Sequence, residues 1–212
     1  MAVVDHPRGR FITLAGVDGA GKSSHIAWIA ERLRAAGSAG GREIVVTREP
    51  GGTPLAEKLR ALVLSEPMDP LAETLLMFAA RADHVHKVIA PALLRGAWVV
   101  CDRFTDATLA YQGAGKGVSV ERIRQLAQST HPGLSPDQTL LFDCPYEVSR
   151  SRLSNSGRDL DRFESEERAF FERVRAAYQA LAGAEPGRVH LIDGSRGPDE
   201  VKAEIEKSLI TI

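Results

Sequence analysis

The stretch "FITLAGVDGAGKSSH", residues 11–25, joins an apolar run to a glycine-rich loop and then to a segment with helical spacing. Its centre has the pattern G-x-x-x-x-G-K-S from Gly16 to Ser23. Glycines at these positions let backbone N–H groups surround phosphate oxygens, and the start of the next helix adds a dipole that favours an anion. The pattern therefore predicts a strand, a phosphate-binding loop and a helix, with a nucleoside triphosphate as the ligand.

Individual residues of this loop have separate predicted roles. The Lys22 side chain is expected to reach the β- and γ-phosphates, and the Ser23 hydroxyl to ligate Mg²⁺. A glycine-rich turn that binds nothing is the alternative, which the flanking strand and helix disfavour. The predicted nucleotide-binding residues are Gly16, Val17, Asp18, Gly19, Ala20, Gly21, Lys22, Ser23 and Ser24.

Strand-like and helix-like segments alternate along the rest of the chain. Four further apolar runs read "REIVVT", "AWVVCD", "QTLLFD" and "RVHLID". The predicted helices lie at about 22–36, 53–65, 70–94, 104–112, 119–129, 145–153, 164–182 and 197–209. Such alternation indicates an α/β protein with a parallel sheet between two helical layers. We predict one domain over residues 1–212 with a three-layer P-loop NTPase fold and a five-stranded parallel sheet flanked by helices.

Composition limits the classes of partner. A formal net charge of −1 gives no general attraction to DNA or to an anionic membrane, so we expect neither as a partner. The apolar runs are too short to span a bilayer, and the N-terminus lacks the apolar core of a signal peptide. Cys101 and Cys144 have no metal-binding spacing and are expected to be buried free thiols, as suits a cytoplasmic protein.

Two further motifs follow strands, at the edge where a parallel sheet binds its ligands. In "WVVCDRF", Asp102 is a candidate for the metal shell and Arg103 for a phosphate. In "TREPGGT", Arg48 is a second phosphate candidate ahead of a Pro-Gly-Gly turn. Taken alone, the first pair fits a structural ion pair and Arg48 fits an ordinary surface residue.

The motifs together resemble the thymidylate kinase family. "GVDGAGKS", "TREPGGTPLAEKLR", "FAAR", "DRFTDATLAYQG" and "GRDLDRFE" follow that family's order and approximate spacing, over residues 11 to about 171. The resemblance implies phosphorylation of dTMP by ATP and a homodimer packed through long helices, including the 70–94 stretch. "TREPGGT" with "AYQG" is the more specific part of the match.

The resemblance also implies residue roles in binding dTMP. By position, Asp18 meets the 3′-hydroxyl, Arg48 and Arg103 hold the monophosphate, and Tyr111 packs against the sugar. Phe78 matches a ring that stacks on thymine, Arg81 a donor to a thymine carbonyl, and Gln112 a polar contact near the base. Where many relatives have serine, this chain has Ala107 followed by Thr108, so Thr108 is the residue expected to bring a hydroxyl near the base.

The segment "RSRLSNSGRDLDRFE" interrupts a helical pattern with Ser, Asn and Gly. We predict a mobile lid at about 150–164 rather than a solvated charged loop. In relatives with glycine at the position of Gly19, the lid supplies the arginine that stabilises the transferring phosphoryl group. Arg158 and Arg162 are the candidates, joining Lys22 and Arg103 as catalytic residues, while Arg150 and Arg152 are assigned to the preceding helix.

Alternative functions remain open at this stage. The same scaffold serves kinases for another nucleoside monophosphate or for a deoxynucleoside. A GTP-dependent switch protein is disfavoured because no N-K-x-D segment is present, and an inactive binding module because the reactive residues are present. No histidine or cysteine nucleophile is required, so His84 and His86 are expected to face solvent or a neighbouring subunit.

Overall fold

A computed structural model describes residues 8–35, 41–157 and 159–209 of the chain. Five strands form one parallel sheet. They are β1 (Phe11–Gly16), β2 (Ile44–Arg48), β3 (Trp98–Asp102), β4 (Gln138–Asp143) and β5 (Val189–Asp193), in the order β2-β3-β1-β4-β5. The predicted strand count and parallel arrangement are confirmed, and β1 leads directly into the glycine-rich loop at the centre of the sheet.

Helices follow the strands as the alternation predicts. The first four are α1 (Lys22–Ala35), α2 (Pro54–Ser65), α3 (Pro70–His84) and α4 (Ala90–Leu94). The remaining five are α5 (Thr105–Thr108), α6 (Val120–Thr130), α7 (Tyr146–Ser154), α8 (Arg168–Ala184) and α9 (Pro198–Ser208). Thr53 caps α2 by accepting a hydrogen bond from the Ala56 N–H, as a threonine before a first-turn proline should.

Alternate residues of the central strands enter two separate cores. Ile12 and Leu14 of β1 pack in a cluster that includes Ile29 of α1, whereas Phe11 packs in a second cluster that includes Ile89. All five side chains are completely buried. This period of two is expected when both faces of a parallel sheet are covered by helices.

Two π-helical turns depart from the expected regular helices. The first, Val85–Ile89, lies between α3 and α4 inside the predicted 70–94 helix. The second, Leu109–Gly115, continues α5. Single π-helical turns are uncommon and frequently lie at functional sites. The second one carries Tyr111 and Gln112, and it therefore sets the direction in which both side chains point.

Helix α8 begins at Arg168, later than the expected start near 164. The reason is local: the Asp161 side chain accepts hydrogen bonds from the backbone N–H groups of Phe163 and Glu164, at 2.9 and 3.0 Å. A carboxylate that binds the backbone two and three residues ahead favours a turn over a continuing helix. Residues 159–167 therefore form an irregular segment between α7 and α8.

Two sequence-based expectations concern cysteines and membrane spans. Cys101 and Cys144 are buried free thiols, as predicted. None of the helices in the described ranges is both long and apolar enough to cross a bilayer.

Candidate active site

The glycine-rich loop is held tightly against its neighbours. Gly16 has a φ of 129°, and a Cβ there would lie 2.1 Å from the Phe142 carbonyl oxygen. Gly19 has a φ of 74°, and its Cβ would lie 2.7 Å from the Ser149 carbonyl oxygen. Only glycine tolerates both the left-handed backbone and this close approach. The packing therefore excludes an arginine at position 19, so any arginine that assists phosphoryl transfer must come from elsewhere.

Lys22 lies inside the loop, with Ser23 and Ser24 exposed beside it in the first turn of α1. Its Nζ donates to the Gly16 and Val17 carbonyl oxygens, at 3.0 and 2.7 Å. Burial, with the nearby Arg103 cation, lowers the pKa of Lys22 to about 8. The ammonium is thus short of counter-charge, which a polyphosphate would supply.

Asp18, Arg103 and Tyr111 form one hydrogen-bonded cluster beside the loop. Arg103 Nη2 donates to Asp18 Oδ1 at 2.5 Å, and the Tyr111 hydroxyl donates to Asp18 Oδ2 at 2.7 Å. Burial raises the pKa of Asp18, but Arg103 and Lys22 outweigh it, so the pKa lies below its usual value. The structure thus brings together three residues that the sequence placed far apart.

Arg103 itself has a strained backbone. Its φ of 69° is the one left-handed value among the non-glycine residues of the described ranges. Such strain persists only where the surroundings fix it, and it concentrates at functional sites. Here it turns the guanidinium away from the end of β3 and onto the phosphate loop, where Nη1 lies 3.2 Å from the Gly16 carbonyl oxygen.

Ser23, Asp102 and Arg48 line a shared depression at the carboxyl edge of the sheet. Asp102 Oδ1 is buried and has no hydrogen-bond partner in the described ranges. Arg48 is exposed and pairs with Glu57, its Nη2 lying 2.9 Å from Glu57 Oε2. Arg48 therefore lies on the Ser23 side of the loop.

A separate cavity lies on the other side of Asp18 and Arg103. Its walls come from α2, α3, the Glu49–Pro50 turn, the segment after β3 and the lid. The lining residues are Asp18, Glu49, Pro50, Arg60, Leu64, Met77, Arg81, Arg103, Phe104, Ala107, Thr108, Tyr111, Gln112, Asp161 and Phe163. This set holds three arginines, together with carboxylates, an amide and aromatic rings, so it suits an anionic ligand with a flat polar ring.

Arg60 was missed in the sequence and occupies this cavity in place of Arg48. It lies within the quoted motif "TPLAEKLR" and is partly buried, and its Nη1 donates to the Pro50 carbonyl oxygen at 3.1 Å. Burial, with the repulsion of Arg48, lowers its pKa. Arg60 and Arg103 thus share one cavity, while Arg48 lines the other depression.

Phe78 does not line the cavity, although the Arg81 guanidinium lies 4.7 Å from its ring centre, and stacking on thymine stays a prediction. Its ring is 2% exposed and faces the His131 ring, with 6.4 Å between the ring centres. Met77, one position earlier, lines the cavity instead, four residues before Arg81 on the same side of α3. The aromatic ring that lines this part of the cavity is Phe104, and the Arg81 guanidinium lies 5.1 Å from its centre.

Arg81 is held by a buried network that the sequence did not reveal. Its Nε donates to Glu49 Oε2 at 2.6 Å, and Nη2 donates to Thr108 Oγ1 at 3.1 Å. The remaining nitrogen, Nη1, is buried without a hydrogen-bond partner in the described ranges. An unpaired guanidinium nitrogen in a cavity-lining residue is a donor that a ligand oxygen can satisfy.

His84 belongs to the same network, so the prediction that it faces solvent or another subunit is wrong. It is completely buried, with Nδ1 3.0 Å from Glu49 Oε1 and Nε2 2.7 Å from Thr47 Oγ1. Burial opposes ionisation of Glu49, but Arg81 and His84 outweigh it and lower the pKa of that carboxyl. His86, by contrast, is exposed as predicted.

The segment predicted to be a lid contributes Asp161 and Phe163 to the wall of the cavity. Arg162 binds Glu73 Oε2 and donates to the Val63 carbonyl oxygen, with Nη2 2.8 Å from that oxygen. These contacts direct Arg162 toward α2 and α3 and not toward the phosphate loop, so the expected contact with the transferring phosphoryl group does not match its position. Arg158 lies outside the described residues.

Arg150 and Arg152 belong to α7, as predicted. Arg152 Nη1 donates to the Gly194 carbonyl oxygen at 2.6 Å and to the Gly19 carbonyl oxygen at 3.3 Å. Arg150 Nη1 donates to the Glu164 carbonyl oxygen at 2.6 Å. The two arginines therefore connect α7 to the phosphate loop and to the lid.

A glycine-rich phosphate-loop motif and an arginine-lined cavity that meet at Asp18 and Arg103 on a parallel sheet are the arrangement of P-loop kinases that act on phosphorylated nucleosides. The family model for thymidylate kinase matches residues 14–205. The chain therefore belongs to the thymidylate kinase family, and the resemblance seen in its motifs is confirmed.

Individual relatives extend the match over nearly the whole chain. Thymidylate kinase of Bordetella pertussis is 58% identical over 203 residues, covering 96% of this chain and 95% of that protein. Thymidylate kinase of Ralstonia nicotianae is 52% identical over 204 residues, covering 96% and 99%. The crystal structure of thymidylate kinase from Ehrlichia chaffeensis matches with a TM-score of 0.76 at 34% identity, covering 96% and 99% of the two chains.

Proposed function

We propose that this protein transfers the γ-phosphoryl group of ATP to the 5′-phosphate of dTMP, giving ADP and dTDP. One observation carries the choice of base: the unpaired Nη1 of Arg81 in a cavity that Gln112 also lines. Arg81 supplies a donor, which suits the O4 oxygen of thymine and opposes the amino group of cytosine. The family membership supports the same acceptor.

The phosphate and sugar of dTMP would occupy the part of the cavity nearest the loop. Arg60 and Arg103 supply two cations for the monophosphate, which matches its double charge. Asp18 and Tyr111 are next to Arg103 and suit the sugar hydroxyl and the sugar face. We assign Arg48, together with Ser23 and Asp102, to the nucleotide side.

The residues present fit a Mg²⁺ ion bound with the nucleotide. Ser23 and Asp102 line one depression, and the buried, unpartnered Asp102 Oδ1 is a hard oxygen ligand of the kind Mg²⁺ prefers. These two residues would hold the ion directly or through its waters. Mg²⁺ supplies charge neutralisation on the phosphates of the bound nucleotide.

The protein's own contribution is alignment and charge. The acceptor oxygen belongs to a phosphate that is already anionic, so no protein base has to remove a proton from it. Lys22 and Arg103 place positive charge at the junction of the two binding regions, where charge moves during transfer. Arg162 holds the lid to α2 and α3, and Arg158 stays a predicted partner of the transferring group.

An acceptor panel tests the proposal and its rivals. ADP release would be measured with ATP and Mg²⁺ and with dTMP, dUMP, dCMP, dGMP or thymidine as the acceptor. We expect dTMP to give the highest kcat/KM, with dCMP at least about tenfold lower because its amino group opposes the Arg81 donor. Preference for thymidine or for another monophosphate would refute the assignment, and hydrolysis of GTP without an acceptor would favour the switch protein.

We also propose a cytoplasmic homodimer. Leu55 and Leu62 of α2 and Leu75 of α3 are 47%, 43% and 48% exposed, which leaves large apolar side chains uncovered on adjacent helices. Such a surface suits an isologous interface between copies. Light scattering should give twice the chain mass, and Leu75→Glu should give the mass of one chain. An unchanged mass in that variant would remove α3 from the interface.

A further inference from the structure

Glu73, on α3, is a buried carboxylate without a role so far. Its side chain is completely buried, yet three donors from two other parts of the chain converge on it. Gln112 Nε2 donates to Oε1 at 2.8 Å, whereas Lys116 Nζ and Arg162 Nη2 both donate to Oε2, the former at 2.9 Å. A buried anion is stable only with such compensation, so each contact is costly to lose.

The two oxygens of Glu73 have different neighbours. Oε1 meets only the amide of Gln112 within the described ranges, while Oε2 meets only cations. The cations come from Lys116, just after the π-helical turn, and from Arg162 in the lid. Their side chains flank the Phe163 ring, at 4.6 Å for Lys116 Nζ and 4.8 Å for Arg162 Cζ.

A carboxylate can only accept hydrogen bonds, and this determines the orientation of the Gln112 amide. The nitrogen must face Glu73, so the Gln112 oxygen is the end left for the cavity, which Gln112 lines. Gln112 is 1% exposed, and its tight packing limits reorientation. The cavity then offers an acceptor from Gln112 beside the donor from Arg81.

This inference rests on the proposed function. We propose that Glu73 is a positioning residue that fixes the Gln112 amide with its oxygen toward the base, and so selects pyrimidines with an N3–H over cytosine. Thymine and uracil present a donor at N3 and an acceptor at O4, which matches Gln112 and Arg81 in turn. Cytosine presents the reverse pattern. Its N3 acceptor would face the Gln112 oxygen, which is also an acceptor, and its 4-amino donor would face the Arg81 donor.

The variant Glu73→Gln gives a sharp test because it replaces one acceptor oxygen of the side chain by an amino donor and keeps the other oxygen as an acceptor. Lys116 and Arg162 are donors and retain the new carbonyl oxygen at the Oε2 position. The new amino group then faces Gln112, whose oxygen must turn to accept from it. Gln112 would thereby present its own amino group to the N3–H of thymine, donor against donor.

Steady-state kinetics with dTMP, dUMP and dCMP measure the consequence. In Glu73→Gln we expect kcat/KM for dTMP and for dUMP to fall together, roughly ten- to hundredfold. The ratio of kcat/KM for dTMP to that for dCMP should fall at least about tenfold, and the KM for ATP should stay near wild type. A ratio equal to wild type would overturn the inference.

A double-mutant cycle separates positioning from a general structural role. Gln112→Leu removes the amide, so adding Glu73→Gln to it should leave the dTMP to dCMP ratio of Gln112→Leu unchanged. An equal loss of selectivity in both backgrounds would show that Glu73 does not act through Gln112. Thermal unfolding and ATP binding verify that each variant is folded.

The wild-type protein keeps the two proposals distinguishable. If the wild-type protein does not phosphorylate dTMP, the proposed function is refuted, regardless of the results for the variants. If it prefers dTMP and Glu73→Gln keeps that preference, only the role of Glu73 falls.

Discussion

Replacing Arg60 by methionine tests which arginine binds the acceptor's phosphate. Arg60 lines the cavity beside Arg103, and its one hydrogen bond to protein in the described ranges goes to the Pro50 carbonyl oxygen. Loss of that bond costs about 1 kcal/mol, so Arg60→Met should remain folded. Loss of a charge-assisted bond to the phosphate costs about 1.5–3 kcal/mol, equivalent to a roughly ten- to hundredfold rise in the KM for dTMP.

Arg48→Met is the matched control, since it removes the same charge from the other depression. The Arg48 and Glu57 side chains are 54% and 40% exposed, and a surface pair of this kind contributes about 0–1 kcal/mol. Initial rates of ADP formation would be measured with dTMP varied at saturating ATP, and then with ATP varied at saturating dTMP. We expect Arg60→Met to change the KM for dTMP and Arg48→Met to change that for ATP. The opposite pattern would refute the assignment.

Three other predictions follow from the same geometry. Since Lys22 has a pKa of about 8 in the free protein and a higher one once a polyphosphate pairs with it, ATP affinity should fall above about pH 8, at most tenfold per pH unit. Calorimetry should show this fall, and Lys22→Met should lack it. Gly19→Ala should lower the free energy of unfolding more than Gly117→Ala, since both glycines have a positive φ but only the first has a backbone oxygen within 3 Å; denaturant unfolding compares them. Phe78→Ala should cost about 3–5 kcal/mol of stability in the same assay, whereas Met77→Ala should mainly raise the KM for dTMP.

The sequence predicted the sheet and the phosphate loop because the forces that form them are local. The three central strands, β1, β3 and β4, are apolar runs buried on both faces, and the loop's glycines, lysine and serine act through their spacing in one short segment. Because the strands are parallel, the motifs that follow them were expected to lie close together at the carboxyl edge of the sheet. Asp18, Arg103 and Tyr111 met as expected from that topology and the family resemblance.

The wall of the acceptor cavity was harder to predict, because it depends on how each helix is rotated about its axis. Neighbouring positions on a helix point about 100° apart, so Met77 reaches the cavity while Phe78 enters the core. Arg48 and Arg60 both lie in the matched motif, and only the fold of the turn between them separates their sites. The π-helical turn that orients Gln112 has no recognisable signal in the sequence.

Long-range buried networks were also beyond the sequence. His84 looked like an exposed helical residue, yet it is buried because Glu49, 35 positions away, provides a carboxylate for its ring. Glu73 lies in the first turn of α3, and its partners lie 39, 43 and 89 positions away. Such partners become visible only when the chain is folded, since nothing in their sequence spacing connects them.

These networks share a feature that explains how two arginines of the cavity, Arg81 and Arg103, and the nearby Arg162 stay ordered without a ligand. Three buried or half-buried carboxylates, Asp18, Glu49 and Glu73, each hold an arginine, and Glu73 adds a lysine. An unpaired cation in this position would be strongly disfavoured by desolvation, while a mobile one would have to be ordered when the ligand binds. Pairing fixes each guanidinium in place and leaves part of it available, as with Arg81 Nη1. On the proposed function, the acceptor would then meet a preformed set of donors, and specificity would depend on which edge of each fixed group faces the ligand.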